Sequence, residues 1–269
     1  MDMLAHTRTG RGEPLVLLHP LGSGRHVWEP ALPLLAQRYD VIALDLPGFG
    51  ESPPLPDTVE PTPAALAAAV AATLDALGVR RPHVAGNSLG GWVALELAAL
   101  RPLRSVALLS PAGLWRERTP RYCRVSLRLS RWLARRAEPT LSRLVGHPAG
   151  RALVLGQTHG RPTRMPADRA RAAVRAMARS TGFDRVLAAT AYRSYLPPSA
   201  PPPMPVSVAY GTRDLLLPAA ARIVGLLPPG TPVARLPGCG HVPVDDDPGA
   251  VARFILDSTA RALPVPAGS

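Results

Sequence analysis

The chain has 269 residues, 46% of them hydrophobic, enough for one large domain, or one domain carrying an insertion, that folds without disulfides or metal. Its two cysteines, Cys123 and Cys239, lie far apart, which excludes a disulfide framework and a CxxC metal or redox motif. The net charge of +12 is uneven: residues 113–200 hold 18 Arg against 4 acidic residues (net +14) and the remainder 13 Arg against 15 (net −2), so no basic surface covers the whole chain and nucleic acid is not an expected partner.

The opening, MDMLAHTRTG, lacks the apolar core of a secretory signal. The longest weakly polar run, PAALAAAVAATLDALG (63–78), is too short and alanine-rich to span a bilayer, so a cytoplasmic location is expected. In chain order, LVLLH (15–19) predicts a strand, followed by a Gly/Ser loop and a helical stretch near 30–37. VIALDL (41–46) predicts a second strand, leading through a Pro/Gly loop to a helix over 63–77. HVAGN (83–87) leads into a helix over 88–100, and SVALLS (105–110) is a further strand. Near-continuous apolar runs alternating with helices indicate strands buried on both faces in a parallel, doubly wound α/β sheet.

The arginine-rich segment 113–200 has helical patterns but no convincing buried strand, and ends in the proline cluster LPPSAPPPMP (196–205). It reads as a helical cap inserted after the strand at 105–110, dividing the core into 1–112 and 201–269. On one of its helices Arg121, Arg124, Arg128, Arg131 and Arg135 share a narrow face, while Tyr122, Val125, Leu129, Trp132 and Leu133 share another. One reading makes the arginines a solvated outer face, with Val125, Leu129, Trp132 and Leu133 covering a pocket, so that Trp132 is a candidate substrate contact. Others are attraction to an anionic lipid surface or recognition of an acidic substrate or carrier protein. After residue 200 a strand is predicted at 206–211, a helix at 218–227, a strand at 233–238 and a closing helix at 248–262, with a frayed end, PVPAGS.

GNSLG (86–90) fits G-x-S-x-G between a strand and a helix. A turn this sharp strains the serine backbone, needs small neighbours, and lifts the hydroxyl of Ser88 to a helix N-terminus where developing negative charge is favoured. A serine hydroxyl attacks only when a base takes its proton and a third group orients that base. YGTRDLLLP places Asp214 just past the strand 206–211, and LPGCGHVPVDDDP places His241 in a Gly-rich loop after the next. Both loops follow strand C-terminal ends, where open α/β sheets build their sites. Asp214 alone could be a helix N-cap, and His241 alone an idle loop residue. Asp245, Asp246 and Asp247 read as the cap and charge of the last helix, and Asp45 as organising its own loop. An oxyanion needs two backbone donors; the amide of Leu89 and, from HPLGSGRHVW, that of Leu21 are the candidates. His19 and His26 lack a second pair of ligands, so neither metal nor cofactor is expected.

"HPLGS", "LDLPGFGES", "GNSLGG", "GTRD" and "GCGH" resemble, in order and spacing, the α/β-hydrolase superfamily over about 15–111 and 204–262. The resemblance implies an eight-stranded, mostly parallel sheet, here lacking its first strand, with Ser88 as nucleophile, Asp214 as acid, His241 as base and the Leu21 and Leu89 amides as oxyanion hole. It implies a serine hydrolase acting on a small to medium carboxylic ester or related acyl bond. GNS-x-GG is also similar to the C–C bond hydrolases of ring-fission products, whose elbow carries Asn before the serine, making Asn87 a candidate substrate contact. That group usually follows its catalytic His with Trp, where this chain has Val242 and Pro243. A cofactor-free perhydrolase, an acyltransferase and a catalytically silent binding module are the remaining alternatives.

Overall fold

The computed structural model describes residues 3–199 and 203–262; the tail PVPAGS and part of the proline cluster lie outside them. A seven-stranded sheet forms the centre, in the order β1-β3-β2-β4-β5-β6-β7. Its strands are β1 (His6–Gly10), β2 (Glu13–Leu18), β3 (Tyr39–Leu44), β4 (His83–Asn87), β5 (Ser105–Leu109), β6 (Val206–Gly211) and β7 (Val233–Leu236). All neighbours pair in parallel except β1, which runs antiparallel to β3. The apolar-run pattern misses β1 because HTRTG is a polar, largely exposed edge strand.

Alternate residues of each buried strand face opposite layers. On β2, Val16 and Leu18 pack with α2 (Pro63–Ala76) and α3 (Leu89–Leu100), whereas Leu15 and Leu17 pack with α1 (Leu32–Leu35) and α8 (Pro248–Thr259). Both faces of the sheet are thus covered, which is why its strands read as continuous apolar runs. Between β5 and β6 the cap makes α4 (Arg121–Leu144), α5 (Pro148–Leu155), α6 (Ala167–Arg179) and α7 (Phe183–Thr190), with a small core of its own around Val145, Leu155, Met165, Ala170 and Val174. Among the described residues no helix is long and apolar enough to cross a membrane.

Two expectations need correction. The stretch 218–227 forms two short 3-10 turns, Ala219–Ala221 and Val224–Leu226. Arg222 and Ile223 between them leave helical geometry, and Gly225 and Pro228 discourage propagation. The second correction concerns α4. Val125, Leu129, Trp132 and Leu133 point outward, and Trp132 is 55% exposed, so this row does not cover the cavity that holds Ser88, and Trp132 lines a surface groove with Arg128, Arg135 and Asp184 instead. The inward face instead carries Cys123, Leu127, Arg131 and Ala134. The arginine stripe is not uniformly solvated either, since the guanidinium of Arg131 is buried and donates to the carbonyl oxygens of Met177 and Ser180.

Candidate active site

Ser88 sits between β4 and α3 at φ +53°, ψ −111°. A non-glycine residue there costs about 1–3 kcal/mol and persists only where its surroundings over-determine it. They do: its N–H donates to Leu109 O at 2.9 Å, and its own carbonyl accepts from Gly91 N at 3.0 Å and Ala112 N at 2.9 Å. The flanking glycines are steric necessities. A Cβ on Gly86 would lie 2.2 Å from Gly90 O, and one on Gly90 would lie 2.2 Å from Leu18 O.

Asp214, in the turn after β6, has a fully buried carboxylate. Oδ1 accepts from the amides of Leu216 (3.1 Å) and Leu217 (2.9 Å), and Oδ2 accepts from His241 Nδ1 at 3.0 Å. It therefore does both things considered for it, capping its own turn and holding the imidazole. Burial pushes its pKa up, but His241, the Leu217 amide and Arg222 together outweigh burial and bring it below the ordinary value.

His241 is buried in the loop between β7 and α8. With Nδ1–H donated to Asp214, Nε2 holds a lone pair, and this atom is buried with no hydrogen-bond partner. Ser88 and His241 line one narrow cavity of about 80 Å³. Its walls are mainly apolar: Leu21 and Trp92 from the core, and Leu127, Met177 and Leu187 from the cap. A larger cleft of about 710 Å³, lined by Arg25, His26 and Glu51 among others, contains none of Ser88, Asp214 or His241.

Leu21 and Leu89 both border the Ser88 cavity, and neither N–H donates to a protein acceptor among the described residues. The loop carrying Leu21 is fixed by His19, whose Nδ1–H donates to Pro20 O at 2.8 Å while Nε2 accepts from Leu46 N–H at 2.9 Å. Both bonds need one neutral tautomer, and burial lowers the pKa of His19 to about 4. Gly22 follows at φ +75°. Asp45 organises its own loop, as expected, accepting from the amides of Arg25 and Glu51 and from the Arg25 guanidinium.

Asn87 does not line the Ser88 cavity. Fully buried behind the elbow, it donates from Nδ2 to Leu109 O (2.8 Å) and His241 O (2.9 Å). The side chain before the serine points off the opposite face of the strand. Only one member of the acidic triplet caps α8: Asp247 accepts from Ala250 N at 2.8 Å. Asp246 accepts from Gly240 N (2.8 Å), Gly160 N (2.8 Å) and Arg161 N (2.7 Å), tying the His241 loop to the cap. Asp245 pairs with Arg169 of α6. These roles are long-range, and a run of three aspartates carries no local signal that separates them.

The sequence profile of the alpha/beta hydrolase family matches residues 15–254. The chain belongs to the alpha/beta hydrolase family. Within it, the chain is 45% identical over 106 residues to a pimeloyl-[acyl-carrier protein] methyl ester esterase of Aeromonas hydrophila, covering 39% of this chain and 40% of the relative. It is 37% identical over 123 residues to a 2-hydroxy-6-oxo-6-phenylhexa-2,4-dienoate hydrolase of Comamonas testosteroni, covering 42% of each. These matches, and those to the acetyltransferase component of an acetoin cleaving system and to a putative carbamate hydrolase, span less than half of the relatives' length. A solved membrane phospholipase A aligns over 96% of this chain and 84% of its own, with 27% identity and a TM-score of 0.74. Family membership places the chain in a fold family whose matched relatives include an ester hydrolase and a C–C bond hydrolase.

Proposed function

We propose that this alpha/beta hydrolase cleaves a small to medium carboxylic ester through an acyl-enzyme on Ser88. The single observation supporting this most strongly is the convergence on one cavity of a strained serine and an imidazole whose other nitrogen is held by a buried carboxylate. His241 Nε2 takes the Ser88 proton as Oγ attacks the ester carbonyl. The tetrahedral oxyanion accepts from the Leu21 and Leu89 amides, and Asp214 stabilises the imidazolium. His241 then protonates the leaving alcohol as the C–O bond breaks. Water, deprotonated by the same Nε2, attacks the acyl carbon and releases the acid and free Ser88.

The apolar cavity walls suit an uncharged acyl chain, and the likeness to a carrier-protein methyl ester esterase is in keeping with an ester bond. The likeness to a ring-fission product hydrolase supports a second reading, C–C bond cleavage by the same residues. An acyltransferase would replace water by an alcohol. Turnover of p-nitrophenyl esters across acyl lengths, wild type beside Ser88→Ala, tests the ester reading. Turnover that vanishes in the variant supports it. Fluorophosphonate labelling of Ser88 without ester turnover transfers the proposal to C–C cleavage, and neither labelling nor turnover overturns both.

A further inference from the structure

The first part of α4, up to the non-helical Ala137, has two faces with opposite surroundings. Inward, Leu127 lines the Ser88 cavity, Cys123 Sγ donates to Leu216 O at 3.0 Å, and Arg131 is held by cap carbonyls. On the opposite side of the helix, Tyr122, Val125, Leu129 and Trp132 form an apolar row, each between 53% and 55% exposed. Such a row in water is unfavourable for a monomer and marks a surface that is covered in use.

The charge around the row identifies the cover. Arg121, Arg128 and Arg135 run along one side, and Arg136 closes its C-terminal end. No acidic residue occurs between Glu117 and Glu138. Of the acidic groups from neighbouring elements, Asp184 approaches, 3.7 Å from both Arg131 and Arg135. Arg121, Arg128 and Arg136 have no carboxylate within ion-pair distance among the described residues. A second copy laid on this face would set arginine rows against each other. Nucleic acid would pair with the arginines but leave aliphatic Val125 and Leu129 unused. An anionic bilayer uses both parts, phosphates meeting guanidinium groups and the apolar row entering the headgroup–acyl boundary.

We propose that the outward face of α4 docks this protein reversibly on anionic lipid bilayers, with Val125, Leu129 and Trp132 inserted shallowly and Arg121, Arg128, Arg135 and Arg136 at the headgroups. The inference is independent of which bond the enzyme cleaves. Its test uses the full chain with vesicles of phosphatidylcholine, alone or with one third phosphatidylglycerol. Trp28, Trp92 and Trp115 are buried, so Trp132 is the solvent-exposed fluorophore of the four tryptophans.

The expected result is co-sedimentation with the anionic vesicles, a blue shift of tryptophan emission on binding, and loss of both at high salt. Trp132→Phe removes the shift and keeps the co-sedimentation. Val125→Asp with Leu129→Asp weakens binding about ten-fold or more, with circular dichroism confirming an unchanged fold. Arg128→Glu with Arg136→Glu weakens it similarly. Absence of binding at low salt, equal binding to neutral vesicles, or undiminished binding of the aspartate variant overturns the proposal. So does a wild-type dimer that Leu129→Asp converts to monomer, which would assign the face to a second copy.

Discussion

Asn87 and His241 are joined by a hydrogen bond across 154 residues of sequence: the amide nitrogen of the residue before the elbow serine donates to the main-chain oxygen of the histidine at 2.9 Å. The strand that ends at Asn87 thereby fixes the loop that faces it. Asn87→Ala leaves His241 O without its donor in a buried site, which costs about 1–3 kcal/mol of stability. Leu109 O keeps the Ser88 N–H as a partner, so the elbow itself survives. Loosening the loop displaces the imidazole, and an offset near 1 Å costs about a hundred-fold in turnover. The expected outcome is a large fall in kcat with little change in KM, read from ester kinetics beside a urea melt. Unchanged kcat would show that the loop holds its position without Asn87.

Asp214 faces two ways, and the two halves can be separated. In Asp214→Asn, Oδ1 can still accept from the Leu216 and Leu217 amides, so the turn stays capped. The amide NH₂ now stands where Oδ2 accepted from Nδ1–H, so the imidazole reverses its tautomer and Nε2 loses its free lone pair. The expected loss in kcat is on the order of 10⁴-fold, with a melting temperature close to wild type. A variant that melts far below wild type would show that the charge, and not the cap, holds the turn. Retained activity would remove Asp214 from the mechanism.

The core strands and the turn at Ser88 are legible because they are written locally. Strands buried on both faces appear as apolar runs, and the elbow requires glycines within two residues of Ser88, where added Cβ atoms would strike backbone. Asn87 lies away from the cavity because successive side chains of a strand point to opposite sides, so adjacency to Ser88 in sequence does not make it a neighbour of the site. The row through Trp132 was placed inward because periodicity separates the faces of a helix without saying which one meets the core. On α4 the buried face is the mixed one, with Arg131 satisfied by carbonyls 46 and 49 residues away. Such partners leave no trace in the local pattern. The polar strand β1 is likewise defined by its partner β3 and not by its own composition.

Asp246 is the clasp between the core and the cap. Its carboxylate accepts three main-chain N–H groups, from Gly240 beside the histidine and from Gly160 and Arg161 in the cap. Asp246→Ala leaves those amides without acceptors, and charge-assisted bonds of this kind put the expected destabilisation at about 3 kcal/mol. Asp246→Asn keeps one acceptor oxygen and is expected to fall between the two in urea denaturation. A cap thus released no longer shapes the cavity wall at Thr158, so KM for medium-length esters rises in the alanine variant. Equal urea midpoints for all three proteins would deny the clasp.

His19 makes stability depend on pH in a definite direction. Burial lowers its pKa in the folded protein to about 4, against an ordinary value of 6.5. Between those values the unfolded chain binds the proton and the folded one does not, so folding is favoured fully above pH 6.5 and progressively less as pH falls towards 4. The total is on the order of 3 kcal/mol, of which about 2 kcal/mol is lost between pH 7 and pH 5. His159, also buried, is lowered by burial against the pull of Asp245 and Asp246, and adds with the same sign. Protonating His19 Nε2 would set N–H against the Leu46 N–H it now accepts from, so the loop carrying Leu21 is disturbed by the same proton. Urea denaturation at pH 7 and pH 5 should show the loss in wild type. In His19→Asn the stability at pH 7 is lower, but the difference between the two pH values shrinks. An undiminished difference in the variant would place the pH dependence on the other buried histidines.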